Sequence, residues 1–276
     1  MKKPIGIFDS GIGGLTVLKE IMRVLPQEDT IYLGDTARVP YGAKSPDTVV
    51  RYSLENARFL LKFDIKALVV ACNTASAYAL SRLSAEIPVP VIGVIMPGAK
   101  KAVSVTKNKK IGVIGTDGTI KSRIYLNTIK TIAPDASVFS KACPLFVPLA
   151  EEGWIDNDVA FLTADKYLSE LKDQGIDTLV LGCTHYPILK DIISRVIGSS
   201  VTLIDSGQET ALEAAKVLQD KNILNANPQA QPFRKFFVTD SPERFIQVGE
   251  LFLGTSFNNN VDKVDVMQYT LLNLAS

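Results

Sequence analysis

Two cysteines in different halves of the chain each close a run of apolar residues and are followed at once by small polar ones. They lie in Val70-Ala71-Cys72-Asn73-Thr74-Ala75-Ser76 and Leu181-Gly182-Cys183-Thr184-His185-Tyr186-Pro187. A thiol titrates at about 8.5, close enough to neutrality to serve as thiolate or as thiol. Opposed across a cleft, two such groups suit three chemistries. Disulfide exchange normally holds its cysteines close in sequence, which these are not. A zinc site needs three or four ligands, and Cys72, Cys183 and His185 offer three without the usual short spacings. Proton transfer at a carbon acid needs one base on each face of a carbon, with matched proton affinities, and two thiols meet that demand.

The neighbours of the cysteines distinguish them from core filler. A free cysteine is most often buried as a small hydrophobe, and Cys143, followed by Pro144 in an irregular apolar segment, fits that description. Beyond Cys72 and Cys183, by contrast, stand hydrogen-bonding groups, Asn73-Thr74 and Thr184-His185. His185, the lone histidine, is placed to favour the Cys183 thiolate or carry its proton, and Asp9 to do the same for Cys72. Ser10, Asn73, Thr74 and Thr184 are the donors a site needs to grip carboxylates and stabilise the charge left when an α-proton departs.

Elements must bring these groups together. Leu68-Val69-Val70 and Leu179-Val180-Leu181 read as fully buried strands, so each cysteine falls at the carboxyl end of a strand, the edge where open parallel sheets bind ligands. Pro4 to Phe8 reads as a buried first strand, and Asp9-Ser10-Gly11-Ile12-Gly13-Gly14 as the turn into a helix. That turn is neither a dinucleotide fingerprint nor a P-loop, and a capping role for Asp9 or Ser10 competes with a ligand role. Thr30 to Leu33 is a second strand, followed by a long polar loop, Gly34 to Gly42. Ser45-Pro46 then opens a helix with Val50, Leu54, Ala57 and Leu61 as its apolar stripe. Val91 to Ile95 reads as a fourth strand, Phe161, Ala164, Leu168 and Leu171 as a helix stripe, and Ser206 with Glu209 as a capping box. Phe236 to Val238, a Ser241-Pro242-capped helix and an edge strand within Val261 to Met267 complete the chain.

Ile111-Gly112-Val113-Ile114-Gly115-Thr116 repeats the grammar of Ile5-Gly6-Ile7-Phe8-Asp9-Ser10, setting Thr116 opposite Ser10, and the two cysteine segments echo each other in turn. Such self-similarity points to two related α/β halves facing each other. The expected division is residues 1–97 plus 207–276 for one domain and 98–206 for the other. Between the repeats, Leu145 to Trp154 is apolar and contains the carboxylates Glu151 and Glu152.

Composition narrows the function classes. With 276 residues, two domains of ordinary size are expected. Thirty basic and 29 acidic residues leave a net charge of +1, which offers no electrostatic case for nucleic acid or an anionic membrane. Neither a signal peptide nor a membrane span is read, and three cysteines without a CxxC pair fit a reducing compartment, so a cytoplasmic protein acting on a small molecule is expected.

Taken together, Gly6 to Leu15, Gly34-Asp35-Thr36 with Pro40-Tyr41-Gly42, Ala71 to Ala75 and Gly182 to Pro187 resemble the glutamate racemase family over essentially the whole chain. The resemblance implies two parallel-sheet α/β domains related by a pseudo-twofold axis, the substrate held between them, and D-glutamate supplied for peptidoglycan without metal, flavin or pyridoxal phosphate. It further implies that Cys72 deprotonates D-glutamate and Cys183 L-glutamate, with Asp9 assisting the first and His185 and Glu151 the second. Asp9, Ser10, Tyr41, Gly42, Asn73, Thr74, Thr116, Thr184 and His185 would bind substrate, and a homodimer is expected. An aspartate or other amino-acid racemase, a non-catalytic amino-acid-binding protein and a zinc protein are the alternatives.

Overall fold

In the computed structural model, residues 3–225, 231–257 and 260–269 are described. Ile5–Asp9 (β1) is buried at every position, and so are Thr30–Gly34 (β2) and Ala67–Val70 (β3). That burial on both faces is why these segments read as unbroken apolar runs. With Val91–Gly93 (β4), Arg234–Val238 (β9) and Val261–Lys263 (β10) they form an all-parallel sheet in the order β10-β9-β2-β1-β3-β4. A second parallel sheet has Lys110–Gly115 (β5), Ser137–Ala142 (β6), Thr178–Gly182 (β7) and Thr202–Asp205 (β8), ordered β6-β5-β7-β8.

The second order is the first one repeated. Omitting β9 and β10, the first sheet runs second-first-third-fourth, and so does the second sheet. The internal echo in the sequence therefore corresponds to one α/β unit built twice, and the fold is two parallel-sheet α/β domains. In such an order the connections leave in opposite directions on either side of the first and third strands, which opens a crevice at their carboxyl ends. The residues after β1 and β3 are Ser10 and Ala71-Cys72, and those after β5 and β7 are Thr116 and Cys183.

Helices cover both sheets: Leu15–Val24 (α1), Pro46–Leu61 (α2), Asn73–Glu86 (α3), Ile95–Val105 (α4), Asp117–Lys121 (α5), Ile124–Ile132 (α6), Phe146–Glu151 (α7), Asp158–Asp173 (α8), Lys190–Ile197 (α9), Ser206–Asp220 (α10) and Pro242–Leu253 (α11). The helix α10 leaves the second sheet and packs against α1 and α4, leading the chain back toward β9.

Several local expectations are corrected. The fourth apolar run is split: β4 stops at Gly93, and Ile95 already begins α4. Pro97 sits in the first turn of α4, where its missing N–H is no loss, and the lysines at 100 and 101 belong to that helix's exposed face. The buried face of α2 is centred on Val49, Ser53, Asn56, Ala57 and Leu60, while Val50, Leu54 and Leu61 flank it partly buried, because polar Ser53 and Asn56 occupy inward positions. On α8, Ala160 rather than Phe161 joins Ala164, Leu168 and Leu171.

The strand β6 was not foreseen: it lies at the sheet edge, half-exposed, and lacks the apolar run of a central strand. Capping also differs. Asp205 caps α10 by accepting from Gly207 N at 2.8 Å, so Ser206 and Glu209 form no capping box. Ser241 makes no capping bond, and α1 starts after Gly14 with no side-chain cap from Asp9 or Ser10.

Candidate active site

Cys72 and Cys183 line one cavity of about 230 Å³, together with Ser10, Tyr41, Gly42, Asn73, Thr74, Thr116, Glu151, Thr184 and His185. Both cysteines are 6 % exposed. The walls come from the two switch-point crevices, each domain presenting one thiol.

Cys72 ends the β3 segment and caps α3, its sulfur accepting the Ala75 N–H at 3.4 Å and lying 3.5 Å from Ser10 Oγ. Burial, and after it the negative charge of Asp9, push this thiol up to about 12 against the opposing contacts from Ser10 and Ala75. Its surroundings therefore favour the neutral thiol of Cys72, and its thiolate, once formed, is a strong base.

Asp9 is fully buried and stands off the cavity wall. Its carboxylate accepts from Gly11 N at 2.9 Å and faces Thr184 Oγ1 at 3.5 Å, linking the first turn to the second cysteine's segment. Burial raises its proton affinity, opposed by the charge of His185 and by the bonds it accepts. No hydrogen bond joins Asp9 to Cys72 among the described residues; the two are coupled through charge.

On the other side, Cys183 Sγ is 3.8 Å from His185 Nδ1, and His185 Nε2 donates to Glu151 Oε1 at 3.0 Å. Glu152 is the more exposed of the two carboxylates and meets Arg244 at 3.4 Å. Burial alone would drive His185 toward its neutral form, but its hydrogen bonds to Cys183 and Glu151 outweigh that and raise it from 6.5 to about 10. Glu151 resists its own burial in the same way and is held below its ordinary value by His185 and by Arg244, whose Nη2 lies 3.8 Å from Oε2. An imidazolium thus directs one N–H at the Cys183 sulfur and the other at a carboxylate. The edge of Phe252 packs against the ring, with centroids 5.3 Å apart.

The polar grips span both domains. Thr74 Oγ1 meets Thr116 Oγ1 at 2.9 Å and Thr119 Oγ1 at 3.2 Å. Thr116 in turn caps α5. Gly42 comes so close to Thr116 that an added Cβ would stand 2.6 Å from the threonine's own. Tyr41 is held by its hydroxyl, which donates to the Asp35 carboxylate and accepts from Asn56 Nδ2 at 3.0 Å, leaving its other atoms to the cavity wall. Arg38 locks Asp35 with bonds of 2.8 and 2.9 Å. Asn73 accepts at Oδ1 from Tyr125 at 2.8 Å, while its buried Nδ2 has no partner.

The structure brings the expected site residues to this cavity with one exception: Asp9, expected also to bind substrate, is fully buried off the wall and touches two residues that line it, Gly11 and Thr184. Thr119, Val39, Val147, Arg244, Asp35 and Arg38 were not anticipated. Thr119 had a signal in its spacing from Thr116, Asp35, Arg38 and Val39 lie in the long polar loop and Val147 in the apolar run already singled out, whereas Arg244 reaches the site through tertiary packing alone. Among the described residues no group of three or more His, Cys, Asp or Glu side chains is arranged to hold a metal ion. No helix there is long and apolar enough to cross a membrane.

The Asp/Glu/Hydantoin racemase family model matches residues 5–214. A glutamate racemase of Geobacter metallireducens is 60% identical over 252 residues, 91% of this chain and 93% of that protein. Among solved structures, a glutamate racemase isoform of Bacillus anthracis superposes with a TM-score of 0.91 at 44% identity, covering 95% of this chain and 97% of the other. A glutamate racemase of Francisella tularensis, solved in complex with D-glutamate, gives a TM-score of 0.91 at 40% identity over 97% of this chain and 99% of its own. Two thiols on repeated strand ends facing one cavity, and a likeness that runs through nearly all of the sequence and the fold, have a single account: the chain belongs to the aspartate/glutamate/hydantoin racemase family.

Proposed function

We propose that this enzyme is a glutamate racemase that interconverts L- and D-glutamate by proton transfer between two cysteines. The observation that carries the proposal is the placement of Cys72 and Cys183, from different sheets, on the wall of one cavity large enough for an amino acid. In the L-to-D direction the Cys183 thiolate takes the Cα proton, becoming a thiol, and leaves a carbanion whose electrons delocalise into the α-carboxylate. The Cys72 thiol then gives its proton to the opposite face and becomes the thiolate. The reverse direction exchanges the roles. His185, with Glu151 behind it, holds a proton and a positive charge beside Cys183, and Asp9 sets the charge felt by Cys72.

Ser10, Asn73, Thr74, Thr116 and Thr184, with Tyr41 and Gly42, bind the substrate's carboxylates and ammonium. Donors fixed before the reaction stabilise the developing charge without having to reorganise. We divide the domains as residues 1–97 plus 207–276 and 98–206, so that both crossings fall in the first turns of helices, α4 and α10. The protein works as a cytoplasmic homodimer, its D-glutamate going to peptidoglycan.

Running each enantiomer in D2O tests the mechanism. Deuterium is expected at Cα of the product from the start and to be scarce in recovered substrate, because the two faces are served by different sulfurs. Cys72→Ala and Cys183→Ala should each abolish racemisation. Equal early labelling of substrate and product would point to a single base and overturn the two-thiol reading. Turnover of aspartate in preference to glutamate would overturn the substrate assignment.

A further inference from the structure

Tyr125 lies on α6 in the second domain, is 2 % exposed, and is absent from the cavity wall. Its hydroxyl reaches across to donate to Asn73 Oδ1 at 2.8 Å. Its ring packs on Gly182, where an added Cβ would come within 3.1 Å of Tyr125 Cε2. One side chain therefore touches the residue after Cys72 and the residue before Cys183.

The state of Asn73 gives this contact a consequence. Asn73 lines the cavity and is 3 % exposed, yet its Nδ2 is buried with no hydrogen-bond partner. Buried amide donors are costly to leave unmade, and an unpaired one in a native structure calls for an explanation. A carboxamide is nearly symmetric in shape, so a free one turns over easily and offers either oxygen or nitrogen. An oxygen turned toward a substrate carboxylate repels it; the nitrogen binds it.

The geometry points to Tyr125 as a positioning residue: by occupying Asn73 Oδ1 from the opposite domain, it leaves the buried, unpartnered Nδ2 of this cavity-lining residue as the amide group that donates to a carboxylate of the bound substrate. The inference rests on the glutamate reading above, which supplies that carboxylate. It also makes carboxylate binding depend on the two domains being in register, because donor and orienting group come from different sheets.

Steady-state kinetics of Tyr125→Phe, Asn73→Ala, Asn73→Asp and the Tyr125→Phe/Asn73→Ala double variant test it. Tyr125→Phe keeps the ring packing and is expected to raise the KM for glutamate about tenfold, the worth of one well-placed hydrogen bond, with the effect falling on KM rather than kcat. The double variant should bind no more weakly than Asn73→Ala, since both changes remove the same donor. Asn73→Asp should raise KM beyond Asn73→Ala, because it sets a carboxylate oxygen against the substrate's own.

A folding defect lowers the active fraction and kcat but leaves KM in place, so the readout survives it. An unchanged KM in Tyr125→Phe, multiplying effects in the double variant, or tighter binding by Asn73→Asp than by Asn73→Ala would each overturn the inference. If the unaltered enzyme failed to turn over glutamate, the substrate reading would fall first, and the proposed role of Nδ2 with it.

Discussion

Thr74 and Thr116, the first from the helix after β3 and the second from the end of β5, share a hydrogen bond of 2.9 Å between the two domains. Neither hydroxyl depends on the other for its only partner, since Thr119 Oγ1 lies 3.2 Å from both. The bond therefore adds registration between the domains more than it satisfies buried groups.

Removing that registration should weaken substrate binding while leaving the fold intact. Thr116→Val keeps the shape, deletes the cross-domain bond and the α5 cap, and is expected to cost about 1 kcal/mol of stability. Because Thr116 is proposed to bond the substrate, the KM for glutamate is expected to rise about tenfold. Thermal denaturation and steady-state kinetics check both numbers; a large loss of stability without a change in KM would make Thr116 a structural residue alone.

Gly13 tolerates no side chain. A Cβ there would stand 2.4 Å from both His185 Nδ1 and Thr184 Oγ1. Gly13→Ala must push the Thr184-His185 segment away from Asp9 or strain the first turn, at a cost of roughly 1–3 kcal/mol, as in other overpacked sites. Activity is expected to fall at least 100-fold, because small misplacements of reacting groups are severe in catalysis. Activity within a few-fold of the unaltered enzyme would show that the His185 segment need not be held in this place.

Glu151→Gln removes the negative partner of His185 at Nε2. The loss of a charge-assisted hydrogen bond predicts a drop of roughly 10- to 100-fold in kcat/KM. The two enantiomers have equal free energy in water, so the drop must be the same in both directions, even though Glu151 touches only the Cys183 side. With one of its proton-holding contacts gone, His185 titrates below its present value of about 10, and the alkaline limb of activity should move to lower pH. An unshifted limb would assign that limb to another group.

Folding stability should follow the same pair. His185 titrates higher in the folded protein than its ordinary 6.5, so its contribution is complete below about pH 6.5 and is lost as pH rises through about 10. Glu151 is depressed below 4.5, so its contribution is present above that pH and lost as pH falls through its folded value. His185→Gln should therefore differ most from the unaltered protein near pH 6, with the gap closing toward pH 10. Denaturant midpoints across that range measure it; a gap that widens with pH would contradict the raised value.

Arg244 shows why part of the site was illegible beforehand. It stands on α11, far along the chain from Glu151, in a helix whose pattern records only which face packs inward, and its contact with α7 arises from the docking of the two domains. The same holds for the exchange of Val50 for Val49 on α2 and of Phe161 for Ala160 on α8. Periodicity locates a helix, but polar groups such as Ser53 and Asn56 face inward when the core supplies partners such as Val49 O and Tyr41. The edge strand β6 was missed because one neighbour and partial exposure ask for no apolar run.

What the amino-acid order determined by itself was the repeated unit. Buried parallel strands must be apolar throughout, so their abrupt ends at Cys72 and Cys183, and the matching openings at Ile5 and Ile111, mark strand, switch point and reactive group in one dimension. What the tertiary structure alone decided was how the two units meet. The assignment of Glu151 rather than Glu152 to His185, the Thr74–Thr116 bond and the Tyr125–Asn73 bond join residues whose separation along the chain carries no periodic signal. They exist because two folded surfaces dock, and only docking brings their donors and acceptors within hydrogen-bond reach.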